Sequence, residues 1–286
     1  MNFRRALCLS VLFFILSAYL ADAQMLSGTV VVGTFTQEDL VLAADSRMVT
    51  IVGGKILSHV DDDCKISAVN GKIIFASSGW TIYDGSFGIE GFDLKTEGQT
   101  LASKANIRSE ADLRALADAW ASRANTLMNG LAFHNLQAWK DNPYHFGEIA
   151  DAIFVSRDAS GTIMASIARI LSDPSTTSAP SISSQILVER NDPEHPNVTI
   201  TLGEGEFLMQ QIATGQSLSP RLDADVQHRL LFARTVTEMT SATLAFAQLA
   251  EQRSPEMVGG PIDQIHLGPK GIEWLSRKKN CAQTNP

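Results

Sequence analysis

The sequence predicts an α+β protein whose β-sheets lie between layers of helices. Three observations lead to this fold class: two apolar hairpins follow one another between residues 30 and 75, two long segments have helical periodicity, and a last strand follows the second segment. Sheets and helices of this kind each have an apolar face to cover, and stacking them in layers covers both. The length of 286 residues suits one large domain with a substantial core.

The two hairpins are the most clearly predicted elements. Residues 30–35 and 40–44 are β-branched or apolar runs on either side of a polar turn. Asn70-Gly71, between apolar residues on both sides, is the strongest short-range signal for a hairpin turn. Because the hairpins follow one another and are largely apolar, we expect both in one sheet that is covered on at least one face.

The later elements follow from periodicity and turn residues. Ser109 can cap a helix over residues 109–131, in which apolar residues recur at helical spacing. Residues 158–161 form a turn between two strands, and residues 223–252 give the longest helical signal. The turn at Gly259-Gly260 then leads into a last strand.

The first 23 residues have the features of a secretory signal peptide. Arg4 and Arg5 form a positive n-region, an apolar h-region follows, and Ala21-Asp22-Ala23 is an A-x-A cleavage site. The h-region is too short and wrongly flanked to span a membrane. Cleavage leaves residues 24–28 as a short propeptide ahead of a single domain, 29–286, and we expect a secreted or periplasmic protein with no membrane contact after removal of the signal.

Charge and cysteine content limit the partners and the chemistry. The formal charge of −8 argues against a nucleic-acid partner. Cys64 and Cys281 are the only cysteines after the signal segment, and an exported protein allows a disulfide between them, although two separate thiols fit the sequence equally well. The three consecutive aspartates at residues 61–63 favour a solvated turn over a metal site. The sequence implies no metal or organic cofactor.

Three reactive side chains are expected near one another at the first hairpin. If Thr29 begins the matured chain, its hydroxyl and α-amine lie at the start of the first strand, and Asp45 lies at the adjacent end of the second. A threonine hydroxyl is a poor nucleophile until a base takes its proton, and a terminal amine can be that base. The Lys65 ammonium would lower the amine pKa by like-charge repulsion, Asp45 would keep Lys65 charged, and the Gly79 N–H would donate to the oxyanion.

These residues resemble the proteasome-type N-terminal-nucleophile (Ntn) hydrolases, most closely the catalytic β-type subunits. The resemblance lies in the Gly28-Thr29 junction, in residues 43–47 at the family's spacing from the threonine, and in Lys65 at the family's spacing before Gly79. It implies a four-layer αββα sandwich, self-cleavage after Gly28, Thr29 as the nucleophile and assembly into a homo-oligomer. It also implies that Met48, Ser77 and Thr81 line the pocket for the residue before the scissile bond.

Departures from the family pattern affect the groups that support the threonine. The family has a serine after a glycine before the long helix, and an aspartate and a serine just before the Gly-Gly turn. The corresponding positions here are Gly215-Gln216 and residues 255–258, which contain neither serine nor the aspartate. Ser254 and Glu256 are the candidate substitutes.

The leading interpretation is an exported threonine peptidase or amidohydrolase that acts on a peptide substrate through an acyl enzyme on Thr29. A non-catalytic proteasome-like assembly subunit and an Ntn amidase for small non-peptide amides are the alternatives. The plain structural interpretations are that Thr29 is only a strand residue and that Asp45 and Lys65 form only a structural ion pair.

Overall fold

The structure, a computed structural model, describes residues 23–52, 55–83, 85, 91–134, 136–141, 147–173, 181–190, 197–216 and 219–283. The predicted signal peptide therefore lies outside the described residues except for Ala23. The first seven strands are β1 (Ala23–Ser27), β2 (Val30–Phe35), β3 (Leu40–Ala44), β4 (Met48–Val52), β5 (Lys55–Val60), β6 (Ile66–Val69) and β7 (Ile73–Tyr83). The later strands are β8 (Phe92–Asp93), β9 (Gly147–Arg157), β10 (Ile163–Asp173), β11 (Ser181–Arg190), β12 (Val198–Gly203), β13 (Asp263–Gly268) and β14 (Gly271–Ser276).

Six α-helices lie in the described part of the chain: α1 (Leu94–Lys104), α2 (Glu110–His134), α3 (Leu136–Asp141), α4 (Glu204–Ala213), α5 (Pro220–Phe232) and α6 (Val236–Arg253). A short 3-10 helix covers Lys279–Gln283. The predicted α+β class is confirmed. None of these helices is both long and apolar enough to cross a bilayer.

The strands form two antiparallel sheets. The larger has the order β11-β10-β9-β7-β1-β4-β5, with β6 and β8 also paired to β7, and the smaller has the order β12-β2-β3-β13-β14. Both predicted hairpins are present, as β2-β3 and β6-β7. The expectation that they share one sheet is wrong, because β2-β3 belongs to the smaller sheet and β6-β7 to the larger.

Apolar side chains of the two sheets pack against each other, and helices cover other strand positions. One buried cluster joins smaller-sheet residues such as Val31 and Leu42 to larger-sheet residues such as Ile74 and Ile153. Helices α1 and α2 contact β7, β9 and β10, whereas α6 contacts β2 and β3. The alternation of side chains along each strand therefore divides the core between sheet–sheet and sheet–helix contacts.

The sequence predicted two helical segments, and α1, α3 and α4 were not predicted. Helix α2 begins after Ser109, whose hydroxyl accepts the N–H of Asp112 at 3.3 Å, in agreement with the predicted cap. The single helix predicted over residues 223–252 is instead two helices, α5 and α6. The break is stabilised by Thr235 and Glu238, which form a capping box at the start of α6.

Candidate active site

The Gly28-Thr29 peptide bond lies where the chain passes from one sheet to the other. Gly28 follows β1 in the larger sheet, and Thr29 precedes β2 in the smaller one. Thr29 is only 1% exposed. A Cβ on Gly28 would lie 2.4 Å from the carbonyl oxygen of Met257, so glycine is required at this position by close packing. The bond is therefore buried and closely packed.

Residues 23–27 form a strand that the sequence did not predict. Strand β1 lies between β4 and β7 and pairs antiparallel with both, from Ala23 opposite Val52 to Ser27 opposite Gly79. Antiparallel pairing on both edges satisfies backbone N–H and C=O groups along the strand. The cleft between β4 and β7 is thus filled by an extended peptide that ends at the Gly28-Thr29 bond.

The side chains of Lys65 and Asp45 form an ion pair next to this bond. The Lys65 ammonium donates to the Gly28 carbonyl at 2.7 Å and to Asp45 Oδ1 at 2.8 Å, and it also donates to the Arg47 carbonyl. Its three protons therefore have three acceptors. Asp45 also accepts the N–H groups of Val30 at 3.0 Å, Arg47 at 3.0 Å and Gly259 at 2.9 Å. Both side chains are buried.

Burial shifts the pKa values of Lys65 and Asp45 in the directions that favour the uncharged form of each side chain. It lowers the pKa of Lys65, an effect opposed chiefly by the charge of Asp45 and by their hydrogen bond. It raises the pKa of Asp45, an effect opposed by Lys65 and by the N–H groups of Gly259 and Val30. Lys65 is therefore an ammonium that gives up its proton more readily than a surface lysine does.

The residues next to Asp45 attach it to the turn at Gly259-Gly260. The Ser46 N–H donates to the Gly259 carbonyl at 3.0 Å, and the Ser46 hydroxyl donates to the Pro261 carbonyl. Arg47 forms a two-pronged ion pair with Asp61, with both nitrogen–oxygen distances at 2.7 Å. These contacts explain why an Asp-Ser-Arg sequence follows β3: each side chain fixes a different part of the site.

The predicted solvated turn at residues 61–63 is tied to the rest of the protein by ion pairs. Asp61 pairs with Arg47, and Asp63 pairs with Lys95 at 2.7 Å. No group of three or more metal-ligating side chains occurs within the described residues. Next to this turn, Cys64 and Cys281 form a disulfide, which resolves the choice that the sequence left open.

Gly79 lies beside the candidate site and can only be glycine. Its φ is +79°, and a Cβ there would lie 2.6 Å from the Ile149 carbonyl oxygen. Gly28, Thr29 and Gly79 line one wall of a cavity of about 540 Å³. The four predicted catalytic residues, including Asp45 and Lys65, thus surround the Gly28-Thr29 bond; their catalytic roles stay predictions.

Gly203 and Glu204 also contact Thr29, and the sequence reasoning missed them. The Glu204 N–H donates to the Thr29 carbonyl at 2.9 Å. A Cβ on Gly203, whose φ is +61°, would lie 2.4 Å from that same oxygen. Ser254 in turn donates to the Glu204 carboxylate at 2.8 Å. The turn signal Gly203-Glu204-Gly205, directly after an alternating strand, was the available clue in the sequence.

The resemblance assigned the family's two serine positions to Gly215-Gln216 and to residues 255–258. Only the second of these segments contributes to the cavity beside Thr29, through Met257. Gly215 follows α4, and a Cβ on it would contact nothing within 4 Å. Among the described residues that line the cavity, Gly203, Glu204 and Met257 are present, whereas Gly215 and Gln216 are not. The glycine that precedes a helix and packs against Thr29 is therefore Gly203, not Gly215.

The predicted pocket residues belong to β4 and β7, the two strands that pair with β1, and do not line the cavity. Met48 begins β4 and is half-buried, whereas Ser77 and Thr81 are buried in β7. None of the three lines the 540 Å³ cavity. Their predicted role, contact with the residue before the scissile bond, stays a prediction that is tied to the cleft between β4 and β7.

Solved structures include proteins that are similar to this chain. No family model matches the sequence, and a search of curated proteins finds no match. Among solved structures, the Anbu (Gly-1) mutant from Hyphomicrobium sp. strain MC1 is similar, with 12% sequence identity and a TM-score of 0.45. The alignment covers 87% of this chain and 86% of that chain.

Proposed function

We propose that this chain is an exported threonine-nucleophile amidohydrolase that cleaves its own Gly28-Thr29 bond and then hydrolyses peptides. The hydrogen bond from Lys65 to the Gly28 carbonyl carries this proposal. A cation 2.7 Å from a carbonyl oxygen stabilises the negative charge that develops when the carbonyl carbon is attacked. A purely structural ion pair has no need to reach this oxygen.

Self-processing follows from the position of the threonine. The Thr29 hydroxyl is on the residue that directly follows the Gly28 carbonyl, so attack forms an Oγ–C bond within the same backbone segment. The C–N bond then breaks, the nitrogen gains the proton that the hydroxyl loses, and an ester remains. Water hydrolyses the ester, which leaves a carboxylate on Gly28 and a free amine on Thr29.

The released amine supplies the base for cleavage of other substrates. Its reference pKa is about 7.7–8.0, and the nearby Lys65 ammonium lowers it further. The Thr29 hydroxyl attacks the substrate carbonyl, the amine transfers the proton to the leaving nitrogen, and water releases the acyl group. The Gly79 N–H is the proposed oxyanion donor.

The placement of β1 favours peptides over small amides as substrates. Once residues 24–28 depart, the edges of β4 and β7 lose the strand that paired with both. Exposed strand edges bind extended peptides through backbone hydrogen bonds, which makes the cleft a peptide site. Met48 and Thr81, in the two flanking strands, are then well placed to contact the side chains of a bound peptide.

The remaining parts of the proposal concern location and assembly. Export, to the periplasm or outside the cell, is supported by the signal-like sequence and by the Cys64–Cys281 disulfide, since disulfides persist in oxidising compartments. The contacts of α1 and α2 with one sheet and of α6 with the other support the four-layer αββα order. We also propose a homo-oligomer that prefers short peptides to folded proteins.

Intact-mass measurement tests self-processing directly. We expect the secreted wild-type protein and Thr29→Ser, which keeps a hydroxyl, to begin at residue 29. Thr29→Ala should begin at Gln24 and should not hydrolyse a fluorogenic peptide, although circular dichroism shows it folded. A wild-type protein that begins at Gln24 would contradict the proposal and favour a non-catalytic assembly subunit.

Light scattering after size exclusion tests the assembly. A fully active monomer would contradict the proposed homo-oligomer, and rapid cleavage of native lysozyme would contradict the preference for short peptides.

A further inference from the structure

The 540 Å³ cavity extends away from the scissile bond on the side opposite β1. Near Gly79, β1 pairs with one edge of β7 and β9 pairs with the other. The cavity contacts Gly28, Thr29 and Gly79, and its further described walls come from β9, from α4 and from Met257. Both residues of the scissile bond therefore line this space.

Chain direction assigns the cavity to one part of a substrate. In the precursor, β1 runs toward the scissile bond, so it occupies the place of residues that precede the bond. The residue after the bond is Thr29, which enters β2 and belongs to the enzyme. A separate peptide needs its own space for the residue that follows the bond, and the cavity is the described space in contact with that bond.

Carboxylates dominate the walls of this cavity. Its described acidic residues are Glu148, Asp151, Glu204 and Glu206. One guanidinium faces two of them: Arg169 lies 2.6 Å from Glu206 and 3.5 Å from Glu148. The carboxyl groups that line the cavity therefore outnumber the guanidinium that pairs with them, even when Asp151, whose pKa burial raises, is left out of the count.

Asp151 adds a buried carboxyl group to the wall of the cavity. It is 1% exposed, its Oδ2 accepts from the Ser78 hydroxyl at 3.0 Å, and its Oδ1 has no hydrogen-bond donor among the described residues. Burial, together with the neighbouring Glu148, raises the pKa of Asp151 well above its usual range. Asp151 also hydrogen-bonds Glu148, which requires a proton on one of the two carboxyl groups, and a cationic donor in the cavity would replace that proton as the partner of both carboxylates.

The other walls suit the stem of a long side chain. Phe207, which is 55% exposed, and Met257 line the cavity with Ile149. Lysine and arginine combine an apolar stem with a charged head, and an aromatic face attracts the head as well.

We propose that the cavity binds a lysine or arginine side chain on the residue that follows the scissile bond, so that the enzyme prefers to cleave before basic residues. This inference rests on the proposed function, because it names the substrate class of that same site. The released peptide fragment then begins with the basic residue.

Matched peptides test the preference. The peptides share the residues before the scissile bond and carry Lys, Ala or Glu directly after it, and mass spectrometry locates the cut. We expect kcat/KM to fall in the order Lys, Ala, Glu, with about a tenfold difference between Lys and Glu, the lower end of the effect of charge-lined clefts. Equal values for the three peptides would overturn the inference.

Variants of Glu206 connect the preference to the cavity. We expect Glu206→Gln to reduce the Lys-to-Glu ratio of kcat/KM, and Glu206→Lys to reverse it. The control is Glu97→Gln, because Glu97 is also a partly exposed glutamate paired with an arginine, at 3.3 Å from Arg123, but does not line the cavity. An unchanged ratio in both Glu206 variants, or an equal change in the control, would overturn the assignment.

The outcomes distinguish this inference from the proposed function. If no peptide is cleaved and wild-type protein retains residues 24–28, the proposed function fails. If the peptides are cleaved through Thr29 with no preference after the scissile bond, the proposed function stands and only the basic-residue pocket is refuted.

Discussion

Replacing Lys65 with alanine removes the charge at the centre of the site. The ammonium is buried and donates hydrogen bonds to three acceptors, which are the carbonyl oxygens of Gly28 and Arg47 and the carboxylate of Asp45. In Lys65→Ala these three oxygens lose their shared donor, and the Asp45 carboxylate loses its counter-ion. Asp45 still accepts three backbone N–H groups, so it remains partly compensated.

The expected loss of stability is at the lower end of the range for broken buried pairs. Removal of one partner of a buried pair costs about 3–5 kcal/mol, and because Asp45 keeps three donors we expect about 3 kcal/mol. In a domain of this size, 1 kcal/mol shifts Tm by roughly 2–4 °C, so Tm should fall by about 6–12 °C. Self-processing should stop, because the Gly28 carbonyl then loses the cation that polarises it.

Urea denaturation and intact-mass measurement, on the same preparations, separate the two effects. The control Asp45→Asn/Lys65→Ala removes both charges, and its loss should be smaller than the sum of the two single losses by about 0.5–3 kcal/mol. Lys65→Arg keeps the charge but adds a longer planar group, and it should also fail to process. Normal processing by Lys65→Ala, with a stability loss below about 1 kcal/mol, would refute the reasoning.

Three further predictions follow from contacts around the site. Gly203→Ala should block processing, because the added Cβ would meet the Thr29 carbonyl oxygen. The control Gly215→Ala also changes a glycine at positive φ, but there is open space around it, so this variant should process normally. Intact masses of both variants, measured at equal times, test the difference. Because burial raises the pKa of Asp151, its contribution to stability is complete below about pH 4 and is lost as pH rises through the folded pKa. Above pH 4, the free energy of unfolding measured in urea should therefore decline less steeply with pH in Asp151→Asn than in the wild type. Parallel plots of this free energy against pH for the two proteins would contradict the prediction. The Cys64–Cys281 disulfide joins positions 217 residues apart, so replacing both cysteines with serine should cost about 5 kcal/mol in the chain-entropy model. Denaturation measures this loss against oxidised wild type, and reduced wild type should lose a similar amount.

Local sequence patterns predicted the features that depend on neighbouring residues. The Asn70-Gly71 turn occurs as expected, with both residues at positive φ, as this hairpin turn requires. Asp45 was expected beside Thr29 because an antiparallel hairpin brings those two ends together, and its carboxylate does accept the Val30 N–H. The capping box that separates α5 from α6 was also visible, as Thr235 followed by Glu238, but the periodicity on both sides concealed it.

The sequence by itself therefore determined the hairpins, the helix after Ser109 and the proximity of Asp45 to the start of β2. Only the tertiary structure decided that β1 fills the cleft between β4 and β7, that the hairpins belong to different sheets, and that Gly203 and Glu204 hold the Thr29 carbonyl. Turns and caps are set by the conformations of a few adjacent residues, which the sequence states directly. Strand neighbours and cavity walls depend on which edges and apolar faces remain to be paired once the whole chain is packed, and short sequence windows do not contain that information.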